Sequence, residues 1–203
     1  MNFKKLQAMQ AKLDEAILAD KAPMTAEGRF NKTLVALSVE IAEVANTVEH
    51  FKFWKDNKGK IDESRFQWHG ELMDISLGDR DKLVDLRNRM KEVSPKQAHR
   101  LTLIEECSDA LHFILSLANQ ANKELVGFNL VPFEAAKEEK YITIQSTICS
   151  LVTSYGRNKQ VDLEYLMDYF YDYVESLGIT PQELEQAYYD KNKINYERLE
   201  NGY

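Results

Sequence analysis

Three features of the sequence predict an all-α fold. Glycine and proline are scarce, eight and four in 203 residues, half the roughly 12% of an average protein. Chains built from many short strands need those residues at their turns. Apolar residues recur every three or four positions over long stretches, the template of a helix with one buried face. No run of four or more residues alternates cleanly enough to require a strand.

The elements follow in order. A first amphipathic helix is expected over about 2–19, ended by Pro23. The second, about 26–54, carries Leu34, Leu37, Ile41, Val44, Val48 and Phe51 on one face and breaks at Lys58-Gly59-Lys60. Residues 60–94 are the least regular, with Gly70 and Gly78 around a short piece and a charged helix expected over 79–92. Ser94-Pro95 reads as an N-cap followed by proline at the first helical position, opening a helix to about Lys123. Pro132 is expected to open another to about Tyr155, with a further one over Val161–Leu177. Thr180-Pro181 repeats the cap-then-proline signature for the last. Short turns and the absence of a linker favour one domain, 1–203.

Composition narrows the function classes. Twenty-six basic against 33 acidic residues give a formal charge of −7, which disfavours a nucleic-acid backbone as partner. A phosphate-bearing small molecule held through a metal remains compatible. Cys107 and Cys149 are expected to be buried small hydrophobes of a reducing compartment, and two cysteines cannot build a zinc site. No apolar h-region and no 18-residue apolar run occur, so a cytoplasmic protein without membrane contact is expected.

Two acidic pairs carry the chemistry: Glu40-Ile-Ala-Glu43 and Glu106-Cys-Ser-Asp109. Acids three apart share one side of a helix. The two segments superimpose position by position, Glu40 on Glu106, Glu43 on Asp109, Leu37 on Leu103, Ile41 on Cys107 and Val48 on Ile114. If their apolar stripes pack together, four carboxylates converge at the edge of the interface. Their mutual repulsion raises pKa values, and a bound cation relieves it. Oxygen-only ligands select hard cations, Mg²⁺ or Mn²⁺. A solvated acidic flank explains either pair alone. Glu105 is expected to face solvent.

The arrangement resembles the metal site of the all-α NTP pyrophosphatases, the MazG-like superfamily, and further motifs resemble its dimeric dUTPases. These are Asn46 followed by Phe51-Lys52-Phe53-Trp54-Lys55, then Asp109-Ala-Leu-His112-Phe113. The C-terminal series is Ala187-Tyr188, Lys191, Asn195, Arg198 and Gly202-Tyr203, and Gln10 precedes Leu13-Asp14. The resemblance implies a homodimeric multi-helix bundle from a bacterium, phage or protist that hydrolyses dUTP, and dUDP, to dUMP with Mg²⁺. It favours attack at the β-phosphorus. The interval from Glu43 to Glu106 is longer than in compact members, so 60–98 reads as an insertion, through which a protein regulator could dock.

On this reading Glu40, Glu43, Glu106 and Asp109 hold metal, and one of the first pair, Glu40 in preference to Glu43, accepts the proton of the attacking water. Lys191, Asn195 and Arg198 fall within about 60° of one another on the last helix and suit a triphosphate; without the resemblance they are an ordinary basic helix end. The Gly202-Tyr203 match implies a tail closing over the nucleotide. Gln10, Asp14, Asn46 and His112 are candidates for reading uracil, with Phe53 or Trp54 as a stacking wall and Lys52 nearby. His112 is otherwise a core histidine, as His50, His69 and His99 are expected to be. Tyr165, Tyr169, Phe170, Tyr171 and Tyr173 are expected in core or dimer packing. Two alternatives stand: the same machinery acting on another nucleotide such as dCTP, and a helical regulatory interaction protein.

Overall fold

The computed structural model describes residues 1–19, 21–60, 95–126 and 134–201. The described residues form six helices and no strand. They are α1 (Phe3–Leu18), α2 (Ala26–Val48), α3 (Pro95–Gln120), α4 (Lys137–Leu151), α5 (Gly156–Ser176) and α6 (Pro181–Glu200). The chain divides into two compact units, one of residues 1–45 and 104–203, the other of 46–103. The segment 60–98 expected as an insertion lies largely outside the described residues, as do the helix expected over 79–92, His69, Ser94, Pro132 and Tyr203.

In the first unit each helix buries the stripe its sequence dictates. On α1 this is Phe3, Leu6, Gln7, Gln10 and Leu13, behind an Asn2 side chain that accepts the Lys5 N–H. The two buried glutamines are satisfied rather than stranded. Gln7 donates to Asn119 Oδ1 (3.2 Å) and Lys123 O (2.8 Å) and accepts from the Leu125 N–H (2.9 Å), tying α1 to the chain beyond α3. On α2 the buried stripe is Phe30, Leu34, Leu37, Ile41 and Val44; on α3 it includes Cys107, Ala110, Ile114 and Leu117, all fully buried.

Helix α4 packs against α5, joined by a Lys140–Asp172 ion pair at 2.6 Å with both side chains almost buried. Cys149 is exposed, contrary to expectation. It sits about 100° around α4 from Ile148, off the stripe of Ile144, Ile148 and Leu151. On α5, Phe170 and Tyr173 are core, whereas Tyr165 is exposed and stacks on Tyr169. Helix α6 packs against α1. Its start is a capping box: Thr180 Oγ1 accepts the Glu183 N–H while the Glu183 carboxylate accepts the Thr180 N–H, with Pro181 at the first turn.

The second unit corrects the expected end of α2. The helix stops at Val48 because Glu49 turns to φ 57, so Phe51 and Trp54 are not helical and Val48 is only half-buried. Glu49 itself is buried, 5% exposed. Its carboxylate gathers Lys52 Nζ (2.7 Å), Lys55 Nζ and the Gly59 N–H (3.0 Å). The clasp folds 51–59 into turns that leave Phe53 89% and Trp54 66% exposed, the two rings meeting edge to face at 5.0 Å. Gly59 holds φ 104 against the His99 ring, whose Nδ1 lies 2.7 Å from Lys60 O. His50 and His99 are half-buried rather than core histidines.

Candidate active site

The matched phases of α2 and α3 bring Glu40, Glu106 and Asp109 together, with one carboxylate oxygen of each within 4.8 Å of the others. All three are half-buried. Glu43, expected as a fourth member, is exposed and stays outside the trio. Its charge is still felt there. Burial first, then the charges of Asp109 and Glu43, push Glu40 up to about 7 against a partial offset from Lys191. Glu106 is driven to about 7 by burial and by Asp109, Glu40, Glu43 and Glu105. Asp109 is raised by burial, a rise that Lys191 opposes.

Lys191 reaches across from α6, with Nζ 2.7 Å from Asp109 Oδ2 and 3.1 Å from Glu105 Oε1. Burial pulls its pKa down, but these two carboxylates more than offset that and hold it above the ordinary value. Glu105, expected to face solvent, is 41% exposed yet engaged in this pair.

Beside the trio lies a cavity of about 420 Å³ walled by four helix stripes. Helix α1 gives Gln10, Leu13, Asp14 and Ile17; α2 gives Arg29, Thr33, Ala36 and Glu40. Helix α3 contributes Asp109, His112, Phe113 and Ser116, and α6 contributes Lys191, Asn195 and Arg198. Each set runs at spacings of three and four, so each helix points one face at the same space.

The end away from the trio is a polar chain. Asp14 accepts from Gln10 Nε2 (2.7 Å), Ser116 Oγ (2.6 Å) and Arg29 Nη2 (3.4 Å). A carboxylate only accepts, so Gln10 must turn its amide nitrogen to Asp14 and its oxygen to His112 Nδ1, 2.7 Å away. That orientation assigns the His112 proton to Nδ1. Tyr188 closes the chain, its hydroxyl 3.1 Å from Gln10 Oε1 and its ring stacked on His112 at 4.1 Å. Burial, then the Lys191 charge, push His112 down to about 3, so the ring is neutral at physiological pH. The Arg29–Asp14 pair also borders a second hollow of about 600 Å³, lined by Ala11, Glu15, Asn119 and Gln120 among others.

Eight of the expected site residues therefore line this cavity: Gln10, Asp14, Glu40, Asp109, His112, Lys191, Asn195 and Arg198. Glu106 adjoins it through the trio. Asn46, Lys52, Phe53 and Trp54 belong to the second unit, where Lys52 is held by Glu49. Sequence reasoning missed Arg29, Thr33 and Ser116. The signal was present in the phase: Arg29 and Thr33 lie three and two turns before Glu40 on its own stripe, and Ser116 lies two turns after Asp109.

Among the described residues no helix is long and apolar enough to cross a membrane. An all-α protein brings a carboxylate trio to one end of a cavity of about 420 Å³ and sets a cation-bearing helix along its side. A family model described as dUTPase matches residues 2–76 and 91–203, nearly the whole chain. The chain belongs to the dUTPase family, whose activity is a nucleotide pyrophosphohydrolysis acting on dUTP. The interval 77–90 falls outside the matched stretches. No curated protein and no solved structure matches the chain.

Proposed function

We propose that the protein hydrolyses dUTP to dUMP and pyrophosphate, and dUDP to dUMP and phosphate, with Mg²⁺ or Mn²⁺ at the trio. The observation that carries the proposal is the convergence of Glu40, Glu106 and Asp109 at one end of a cavity whose flank bears Lys191, Asn195 and Arg198. The donor set fits a hard divalent ion: every ligand is a carboxylate oxygen, and two of the three groups are held near 7 by burial and by neighbouring carboxylates, whose repulsion an added cation relieves. When bound, such an ion neutralises phosphate charge and makes an attacking water more acidic.

The chain's own residues supply the rest. Glu40 lines the cavity, and we assign it the proton of the attacking water, with Glu43, whose charge reaches Glu40, supplying further negative charge for the ion. Lys191 and Arg198 offer charge to the phosphate oxygens and Asn195 an amide donor. Gln10, Asp14 and neutral His112 form the base-reading end, stiffened by Ser116 and Tyr188, and Arg29 adds a fixed donor beside Asp14's acceptor edge. A site that hydrogen-bonds a base edge rejects the wrong base more strongly than one that measures size. Asn46, Lys52, Phe53, Trp54 and Tyr203 are assigned to substrate on the family resemblance. A homodimer in the cytoplasm of a bacterial or phage-infected cell, with the 60–98 segment available to a regulator, completes the proposal.

Release of dUMP from dUTP, measured with and without Mg²⁺ and beside dCTP and dTTP, is the test. The expected outcome is Mg²⁺-dependent turnover of dUTP alone. Comparable turnover of dCTP would replace the uracil reading with that of a broader pyrophosphatase, and no turnover of any nucleotide would favour an interaction protein.

A further inference from the structure

The trio's negative charge is already partly answered from within. The Lys191 ammonium reaches Asp109 at 2.7 Å and Glu105 at 3.1 Å with about a tenth of its side chain exposed. A cation so enclosed needs its partners. The two partners differ in kind. Asp109 belongs to the trio, whereas Glu105 lies one residue before Glu106 on α3, is 41% exposed and stays outside it. A divalent ion that took Asp109 would meet the ammonium across the span of a single carboxyl group, like charge against like charge. Lys191 does not have to leave the site to avoid it, because Glu105 is already within hydrogen-bond reach.

We propose that Lys191 is a stand-in cation that competes with the divalent ion for Asp109. Glu105 is the positioning residue that retains Lys191 beside the cavity once the ion has taken that carboxylate. Lys191 then keeps its bond to Glu105 and turns its remaining N–H groups into the cavity it lines, where the phosphates are assigned. The inference rests on the metal reading above, and it gives one lysine two posts. In the metal-free protein it lessens the repulsion within the trio; in the loaded one it faces substrate.

The test is a Mn²⁺ titration of the substrate-free protein, followed by the electron paramagnetic resonance signal of free Mn²⁺. Lys191→Met is expected to bind Mn²⁺ more tightly, on the order of 10-fold, by removing a competitor in direct contact with a ligand. Arg198→Met, which removes a charge that acts on Asp109 from further off, is expected to change the affinity by less than about 3-fold. Glu105→Gln is expected to weaken Mn²⁺ binding several-fold more in the wild-type background than in the Lys191→Met background, since its charge acts on Glu106 in both but holds Lys191 only in the first. Circular dichroism confirms that each variant keeps its helices. Equal gains from Lys191→Met and Arg198→Met, or a Glu105→Gln effect as large without Lys191 as with it, would overturn the proposal and leave the metal reading standing. A wild-type protein that binds no Mn²⁺ would remove the metal reading itself.

Discussion

Glu40 and Glu49 lie nine residues apart, one inside α2 and one just past its end, and their carboxyl groups are driven in opposite directions. Glu40 is held up near 7 by burial and by other carboxylates. Glu49 is held down at about 2 by bonds from Lys52 and Lys55. At Glu40 burial leads and the neighbouring carboxylates add to it; at Glu49 the bonds from Lys52 and Lys55 outweigh it. The clasp at Glu49 contains its own cations and is complete as folded. The cluster at Glu40 has three acids and one lysine, a deficit of positive charge that a divalent ion would fill.

The largest effect that could break this contrast is on catalysis. Glu106→Gln is expected to lower dUTP turnover by at least about 100-fold, because it removes one charge and one donor from the metal's ligand set; initial rates at saturating Mg²⁺ check it. Next comes ligand-induced stability. Mg²⁺ at about 100 times its dissociation constant should stabilise the fold by about 2.7 kcal/mol, read as a rise in melting temperature that is largely lost in Glu106→Gln.

The pH dependence sharpens the same point with opposite signs. Folded Glu40 and Glu106 titrate near 7, above their ordinary 4.5, so the metal-free folded state binds protons that the unfolded chain has released. Their contribution to stability therefore falls as pH rises from about 4.5 through 7, and Glu40→Gln should raise the metal-free melting temperature at pH 8. Glu49 titrates at about 2 when folded. It stabilises fully above its unfolded value and loses that contribution as pH falls through the folded one. Glu49→Gln, the smallest of these effects, should lower the melting temperature at pH 8, a difference from wild type that disappears in strong acid.

How far the sequence anticipated these two clusters follows from where their information lies. The trio was legible because it is a matter of helix phase: Glu40, Glu106 and Asp109 stand at fixed angles to stripes that Leu37, Ile41, Cys107 and Ile114 make visible. The capped start of α6 was legible for a similar reason, since Thr180, Pro181 and Glu183 act on one another locally. The clasp was not. It depends on Glu49 taking a left-handed turn that an apolar pattern running on through Phe51 masks, and on Lys52, Lys55 and Gly59 folding back to it. The Arg29–Asp14–Ser116 contacts escaped as well, because they join three helices whose mutual placement no single periodicity encodes. Glu43 shows the limit of phase reasoning: it follows Glu40 by three residues as Asp109 follows Glu106, yet only Asp109 joins the trio.

Thr180 serves as the index mark of α6. Each residue advances the helix by about 100°, so the azimuth of Lys191, Asn195 and Arg198 is inherited from the residue at which winding begins. Leu184 and Tyr188 lock the same setting into the core. One alanine inserted between Tyr188 and Lys191 would keep the helix, its composition and its cap. It would nevertheless swing the lysine a quarter-turn or more away from Asp109. The aim of the side chains that complete the cavity is thus fixed three turns upstream, by a hydroxyl at the protein surface.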